Sequence, residues 1–149
     1  MDLRELYQEV ILDHGKNPRN HQFPEPYNRE GRGYNPLCGD KVALRLQLDG
    51  DTITDIGFVG QGCAISQASC STMTEAIKGR KLADVERLFG KFHTMLTSDD
   101  GAAEDFETLG KLAVFAGVRE FPMRVKCATL GWHTLNQALR NEGGEVKTE

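Results

Sequence analysis

The order of periodic segments predicts an α+β fold: a small antiparallel sheet with helices packed on one face, an N-terminal helix first and a helical C-terminal half. Three observations carry that expectation. A helical stripe opens the chain, a run with strict two-residue alternation follows and returns through a turn, and everything beyond reads at helical spacing. In 149 residues, 39% hydrophobic and 27% charged, the pattern fits one domain spanning 1–149, long enough to bury a core without disulfide staples.

Leu3, Leu6, Tyr7, Val10, Ile11 and His14 share one helical face, and Gly15 and Pro18 stop that helix. Residues 17–36 are rich in Pro, Gly, Asn and charge, and read as a long loop with one short strand near Arg32. Val42, Leu44, Leu46 and Leu48 alternate with Lys41, Ala43, Arg45 and Gln47, the signature of a half-buried strand. Asp49-Gly50-Asp51 marks a hairpin turn, and residues 52–59 return with Ile56 and Phe58 inward. In the next helix Ile65, Ala68, Ser69, Thr72, Ala76 and Ile77 form a small-residued face, with Gly79 as its C-terminal stop. Helices are expected over 82–92, around Phe106, Leu109, Leu112, Ala113 and Ala116, and over 125–140 after a break at Phe121-Pro122. Asp99 or Asp100 would cap a turn in the acidic link, and residues 140–149 would fray.

A formal charge of -4 argues against a general nucleic-acid partner. No apolar run approaches the roughly 20 residues of a membrane helix, so no membrane association is expected. The opening "MDLRELYQEVILDHGKNP" is acidic and amphipathic rather than a signal peptide, which makes the cytoplasm the expected compartment.

In a reducing compartment four cysteines are filler, metal ligands or reactive groups rather than disulfides. Cys38, Cys63 and Cys127 fall where elements begin or end, two of them beside glycines, and Cys63 and Cys127 are read as lying at helix starts that would lower a thiol pKa. With Asp40 they make three soft ligands and one hard one, enough for a tetrahedral zinc site with Zn–S bonds of about 2.3 Å. Spacing alone leaves open that they are unrelated. Cys70, two turns and about 10 Å beyond Cys63, is too far for the same ion and reads as a core thiol. His14 and His93 end helices and are read as capping or packing groups, His21 has no partner in its loop, and His133 falls on the opposite side of its helix from Cys127, so none is read as a ligand.

The segments "ELYQEVILDHGKNPRN", "NPLCGDKV", "FVGQGCAISQASCSTMTEAIKG" and "RVKCATLGWHTL" resemble, in order and over nearly the whole chain, the U-type iron–sulfur cluster assembly proteins. The scaffold branch of that family, on which [2Fe–2S] clusters are built, carries a histidine immediately before its last cysteine. Here Lys126 stands there. The zinc-dependent SufU-type branch lacks the histidine and has an insertion that "GKFHTMLTSDDGAAEDFETLG" looks like. The resemblance therefore implies zinc on Cys38, Asp40, Cys63 and Cys127, with an iron–sulfur cluster as the alternative cofactor. It implies a sulfurtransferase-like acceptor that works with a pyridoxal-phosphate-dependent cysteine desulfurase and passes sulfur to downstream cluster-assembly proteins. Cys38 would receive the sulfur, with Arg124 and Lys126 supplying positive charge.

Overall fold

The alternating run forms the sheet's centre. In the computed structural model, which describes residues 3–98, 106–141 and 143–148, strand β2 (Asp40–Asp49) pairs antiparallel with β3 (Thr52–Gln61), and β1 (Arg29–Asn35) pairs antiparallel with the other edge of β2. Val42, Leu44 and Leu46 of β2 and Ile56 and Phe58 of β3 are buried on one face, as the alternation requires.

The strand expected near Arg32 is a full seven-residue member of the sheet. Its inward positions are Gly31, Gly33 and Asn35, so no apolar alternation announced it. The reason for glycine is close approach. A Cβ at Gly31 or Gly33 would run into Thr134 of the last helix, α5 (Pro122–Leu139), which lies on this part of the sheet.

The chain's tail differs from expectation in the same region. Val146–Lys147 forms a fourth strand, β4, parallel to β1, in the order β3-β2-β1-β4. Gln137 holds the approach by donating to the carbonyls of Gly143 and Gly144, and the Thr148 amide donates to the Tyr34 carbonyl. The sheet is therefore mixed, not purely antiparallel. A polar tail is retained because the open edge of β1 offers it backbone partners.

Helix α1 (Leu3–Lys16) packs on α2 (Ala64–Ile77), which is buried continuously from Ala68 to Thr74 rather than along one stripe. Small side chains make that possible, and the hydroxyls of Thr72 and Thr74 bond back to carbonyls within the helix. Helix α3 (Leu82–Thr97) runs five residues past the expected end at Phe92, because Met95 and Leu96 continue its buried stripe. The capping residues expected at Asp99 or Asp100 lie outside the described residues.

The helix expected around Leu109 is split into a single turn, α4 (Phe106–Leu109), and a 3-10 helix, Gly110–Glu120. Gly110 adopts φ +53°, a left-handed conformation that an α-helix cannot pass through. Helix α5 begins earlier than expected. Pro122 does not break the chain there but starts the helix, where its missing N–H costs nothing. Trp132, stacked on Phe89 and Phe92, and Phe115, edge-on to Phe92, fill the core between α3, the 3-10 helix and α5.

Candidate metal centre

Strand register and the packing of α5 on β1 bring the four singled-out residues to one end of the sheet. Asn35 and Asp40 are paired across β1 and β2, and residues 36–39 between them form the turn that carries Cys38 at its tip. Gly39 closes that turn at φ +70°. Lys41 is paired with Gln61 on the other side, so the chain leaving β3 passes beside Asp40 as it turns into α2. A Cβ at Gly62 would strike the Asp40 carboxylate, and the Cys63 amide donates to Asp40 Oδ1 at 2.9 Å. Helix α5, lying across β1, supplies Cys127.

Ligand atoms of Cys38, Asp40 and Cys127 lie within 4.8 Å of one another. The Cys127 and Cys38 sulfurs are 3.3 Å apart, and Cys63 Sγ is 4.0 Å from Asp40 Oδ2. Asp40 and Cys127 are fully buried, whereas Cys38 and Cys63 are half-buried. Cys70 lies apart, buried against Gly131 of α5, and burial pushes its thiol up to about 12.

Cys63 is the N-cap of α2, and its sulfur accepts from the Ser66 amide at 3.4 Å. Its pKa falls to about 6, chiefly through the hydrogen bond from Cys127 and with help from the Ser66 amide, against the cost of burial. Cys127 is pushed up instead, by donating to Cys63 and by burial. The expectation that both thiols sit at helix starts thus holds for one. Because α5 starts at Pro122, Cys127 lies in its second turn, beyond the free N–H groups that lower a thiol pKa.

Arg124 reaches the site from the first turn of α5, with Nη1 3.9 Å from Cys38 Sγ. Its own pKa is raised by the hydrogen bond to Cys127 and by the neighbouring thiolates. Lys126 is half-buried, and its carbonyl accepts from the Thr148 hydroxyl of the tail. The histidines are placed elsewhere. His14 bonds Ser71 in the α1–α2 interface, His21 packs edge-on to Phe58, and His93 and His133 pack edge-on to Phe89.

One site residue escaped the sequence reading. Asn35 is fully buried, and its side-chain amide donates to Asp40 Oδ2 at 3.2 Å and to Cys127 Sγ at 3.5 Å. A signal did exist: Asn35 shares the inward parity of Gly31 and Gly33. Beside Arg124, the large apolar side chains of Leu37, next to Cys38 in the turn, and of Phe121 and Met123, at the start of α5, are each more than half exposed. Phe121 also borders a groove of about 690 Å³ between α1, the start of α2 and the 3-10 helix.

Two sulfurs and a carboxylate within 4.8 Å, with the Cys63 sulfur outside that cluster but 4.0 Å from the same carboxylate, suit a thiophilic divalent metal better than a hard one, so the donor set fits zinc or iron. A helix-covered sheet with a cluster of cysteines and one carboxylate at its end defines a class of small α+β domains with a candidate metal centre, and comparison with known proteins gives the family. Residues 6–141 match the family model described as NifU-like N terminal domain, and the chain belongs to that family. It is 40% identical over 143 residues to the zinc-dependent sulfurtransferase SufU of Bacillus subtilis, covering 96% of this chain and 95% of that protein. It is 38% identical over 138 residues to the iron–sulfur cluster assembly scaffold protein IscU of Streptococcus pyogenes, covering 93% and 85%. Its structure matches that of a SUF-system iron–sulfur cluster assembly scaffold protein (FiSufU) from Fervidobacterium islandicum AW-1 with a TM-score of 0.82, at 37% identity over 93% of this chain and 99% of that one.

Proposed function

We propose that this chain is a zinc-dependent sulfur acceptor in iron–sulfur cluster biogenesis, taking persulfide sulfur from a pyridoxal-phosphate-dependent cysteine desulfurase and stimulating its turnover. The observation that carries the reading is the convergence of Cys38, Asp40 and Cys127 within 4.8 Å, with Cys63 against the same carboxylate. Cys38, Asp40, Cys63 and Cys127 would hold the ion. When bound, zinc supplies a positive charge that keeps the thiols deprotonated at neutral pH.

Cys38 is the acceptor in this reading, because it sits on a turn at the half-buried mouth of the site. Its thiolate attacks the outer sulfur of the partner's Cys–S–SH. A new S–S bond forms to Cys38 as the partner's S–S bond breaks, and the partner's cysteine leaves as a thiolate. The hydrogen stays on the transferred sulfur, and no external oxidant or reductant is needed. Arg124 offsets the negative charge of the attacking Cys38 thiolate, which passes to the leaving sulfur as the bond shifts. The exposed Leu37, Phe121 and Met123 give the partner an apolar surface beside the acceptor. From Cys38 the sulfur would pass to downstream cluster-assembly proteins.

Mixing the protein with the desulfurase tests the reading. The expected result is one zinc per chain and a large rise in desulfurase turnover. Wild-type stimulation by Cys38→Ala would overturn the acceptor role.

A second reading, a scaffold on which a [2Fe–2S] cluster is assembled and passed on, draws support from the similarity to the streptococcal scaffold protein, nearly equal to that with SufU. Lys126, in the position where the scaffold branch carries histidine, favours the zinc reading. Anaerobic reconstitution with iron and sulfide separates the two. A stoichiometric [2Fe–2S] spectrum, transferable to an apo-ferredoxin, would favour the scaffold.

A further inference from the structure

We propose that Asn35 is a positioning residue of the metal centre, with its side-chain amide fixing Asp40 and Cys127 as the static half of the ligand set. The inference rests on the metal reading above and goes beyond it, since Asn35 is itself no ligand. The side chain is fully buried, and it makes three hydrogen bonds within the site. Nδ2 donates to Asp40 Oδ2 at 3.2 Å and to Cys127 Sγ at 3.5 Å, while Oδ1 accepts from the Leu37 amide at 3.3 Å.

The three bonds link the three elements that build the site. The Leu37 bond shapes the turn that carries Cys38, the Asp40 bond ties β1 to the start of β2, and the Cys127 bond ties both to α5. Asp40 is thereby gripped from two sides, at Oδ1 by the Cys63 amide and at Oδ2 by Asn35. A carboxylate so held cannot swing out of the site, and its orientation is set before any ion arrives.

The ligand set is consequently uneven. Cys63 is anchored as an N-cap by the Ser66 amide, and Asp40 and Cys127 are anchored by Asn35. Among the described residues, Cys38 Sγ lies 3.9 Å from the exposed Arg124 guanidinium and 3.3 Å from the Cys127 sulfur, and receives no amide. Asn35 thus helps decide which sulfur stays and which can leave. An N–H donor also draws electron density from the sulfur it bonds, so Cys127 becomes the weaker electron donor to a metal.

The test compares wild type with Asn35→Leu and Asn35→Ala, two variants that lose both donors with different packing. Zinc affinity is measured by chelator competition, and the sulfur-to-metal charge-transfer band is recorded with cobalt(II) in place of zinc. Without the amide the zinc dissociation constant should rise ~10- to 100-fold, as expected for a lost outer partner. The cobalt band should move to longer wavelength, because an unbonded thiolate gives up its electron more readily.

The band decides the matter. A shift to longer wavelength in either folded variant supports the donor role whatever the affinity does, and a shift the other way overturns it. An unmoved band overturns it, even with weaker zinc binding, because packing alone would then explain the loss. Should neither variant fold, Asn35→Ser, which restores a short donor, must fold and keep a band nearer to wild type, or the assignment falls. Wild type that takes up neither zinc nor cobalt would instead overturn the metal reading itself.

Discussion

Cys63 and Cys70 lie on one helix, seven residues and two turns apart, and have opposite chemistry. At the mouth of α2, Cys63 is the N-cap, half-buried, accepting from the Ser66 amide, with its pKa drawn down to about 6. In the middle of α2, Cys70 is packed against Gly131, and burial pushes it up to about 12. The same side chain becomes an anion where free amides and a thiol partner face it, and an inert hydrophobe where nothing can stabilise its charge. What separates a candidate ligand from filler is therefore position along the helix, which the glycines before Cys63 and the small residues around Cys70 already encode.

The largest expected effect is on reactivity. In metal-free protein at pH 7, thiolate fractions set by pKa values of about 6 and about 12 differ by ~10⁵-fold. Iodoacetamide should label Cys63 with a half-maximal rate near pH 6 and leave Cys70 untouched until the protein unfolds. Peptide mapping by mass spectrometry reads both. Labelling of Cys70 at a rate comparable to Cys63 in the folded state would erase the contrast.

Second in size is the consequence for metal and transfer. If Cys63 holds zinc as proposed, Cys63→Ala should weaken zinc binding ~100-fold and bring desulfurase stimulation close to background, because an anchored ligand is lost. Cys70→Ala should leave both near wild type and lower stability alone, by about 1 kcal/mol for a small buried group. Zinc stoichiometry and desulfurase turnover on the two variants check this side by side.

The same contrast shows what could be read from the sequence. The β2–β3 hairpin was plain because apolar alternation is a direct record of burial, and the elements bearing Cys38, Asp40 and Cys63 followed from it. Strand β1 was under-read because its inward positions are glycines, chosen for the closeness of α5 rather than for apolarity. Asn35 was missed for a related reason: its importance depends on pairing with Asp40 and on α5 arriving overhead, both of them long-range facts. Cys127 was singled out for a local reason that fails, since Pro122 begins the helix and moves the thiol into the second turn. The tail was judged by its own polarity, although an open strand edge was waiting for it.

A smaller effect sharpens the buried half of the comparison. A Cβ on Gly131 would come within 2.6 Å of Cys70 Sγ, so Gly131→Ala overpacks the contact between α2 and α5. The expected cost is about 1–3 kcal/mol, measured by denaturant unfolding of the metal-free protein. Adding Cys70→Ala to Gly131→Ala should recover part of that loss, because the atom in the way is gone. Additive losses in the double variant would show that the strain lies elsewhere.

The smallest effect concerns the same helix one residue beyond Cys70. His14 is buried, with Nδ1 2.7 Å from the Ser71 hydroxyl and Nε2 3.7 Å from Glu75, which also receives Lys111. Its pKa is lowered, first by burial and then by the nearby Arg19 and Lys111 charges, while Glu75 and Asp13 oppose the shift. The unfolded chain therefore takes up this proton at a higher pH than the folded one. The stabilisation is complete above the ordinary histidine value of 6.5 and is lost as pH falls through that value towards the lowered one. One such group can contribute at most about 1.4 kcal/mol per pH unit. His14→Gln should lower stability at pH 7.5 through the altered Ser71 contact, yet lose less than wild type on moving to pH 5.5. Subtracting the two unfolding profiles cancels the slopes that His133 and the thiols share between them. A difference that stays constant with pH would mean that His14 supports α2 by shape and hydrogen bonding alone, with no part in its pH response.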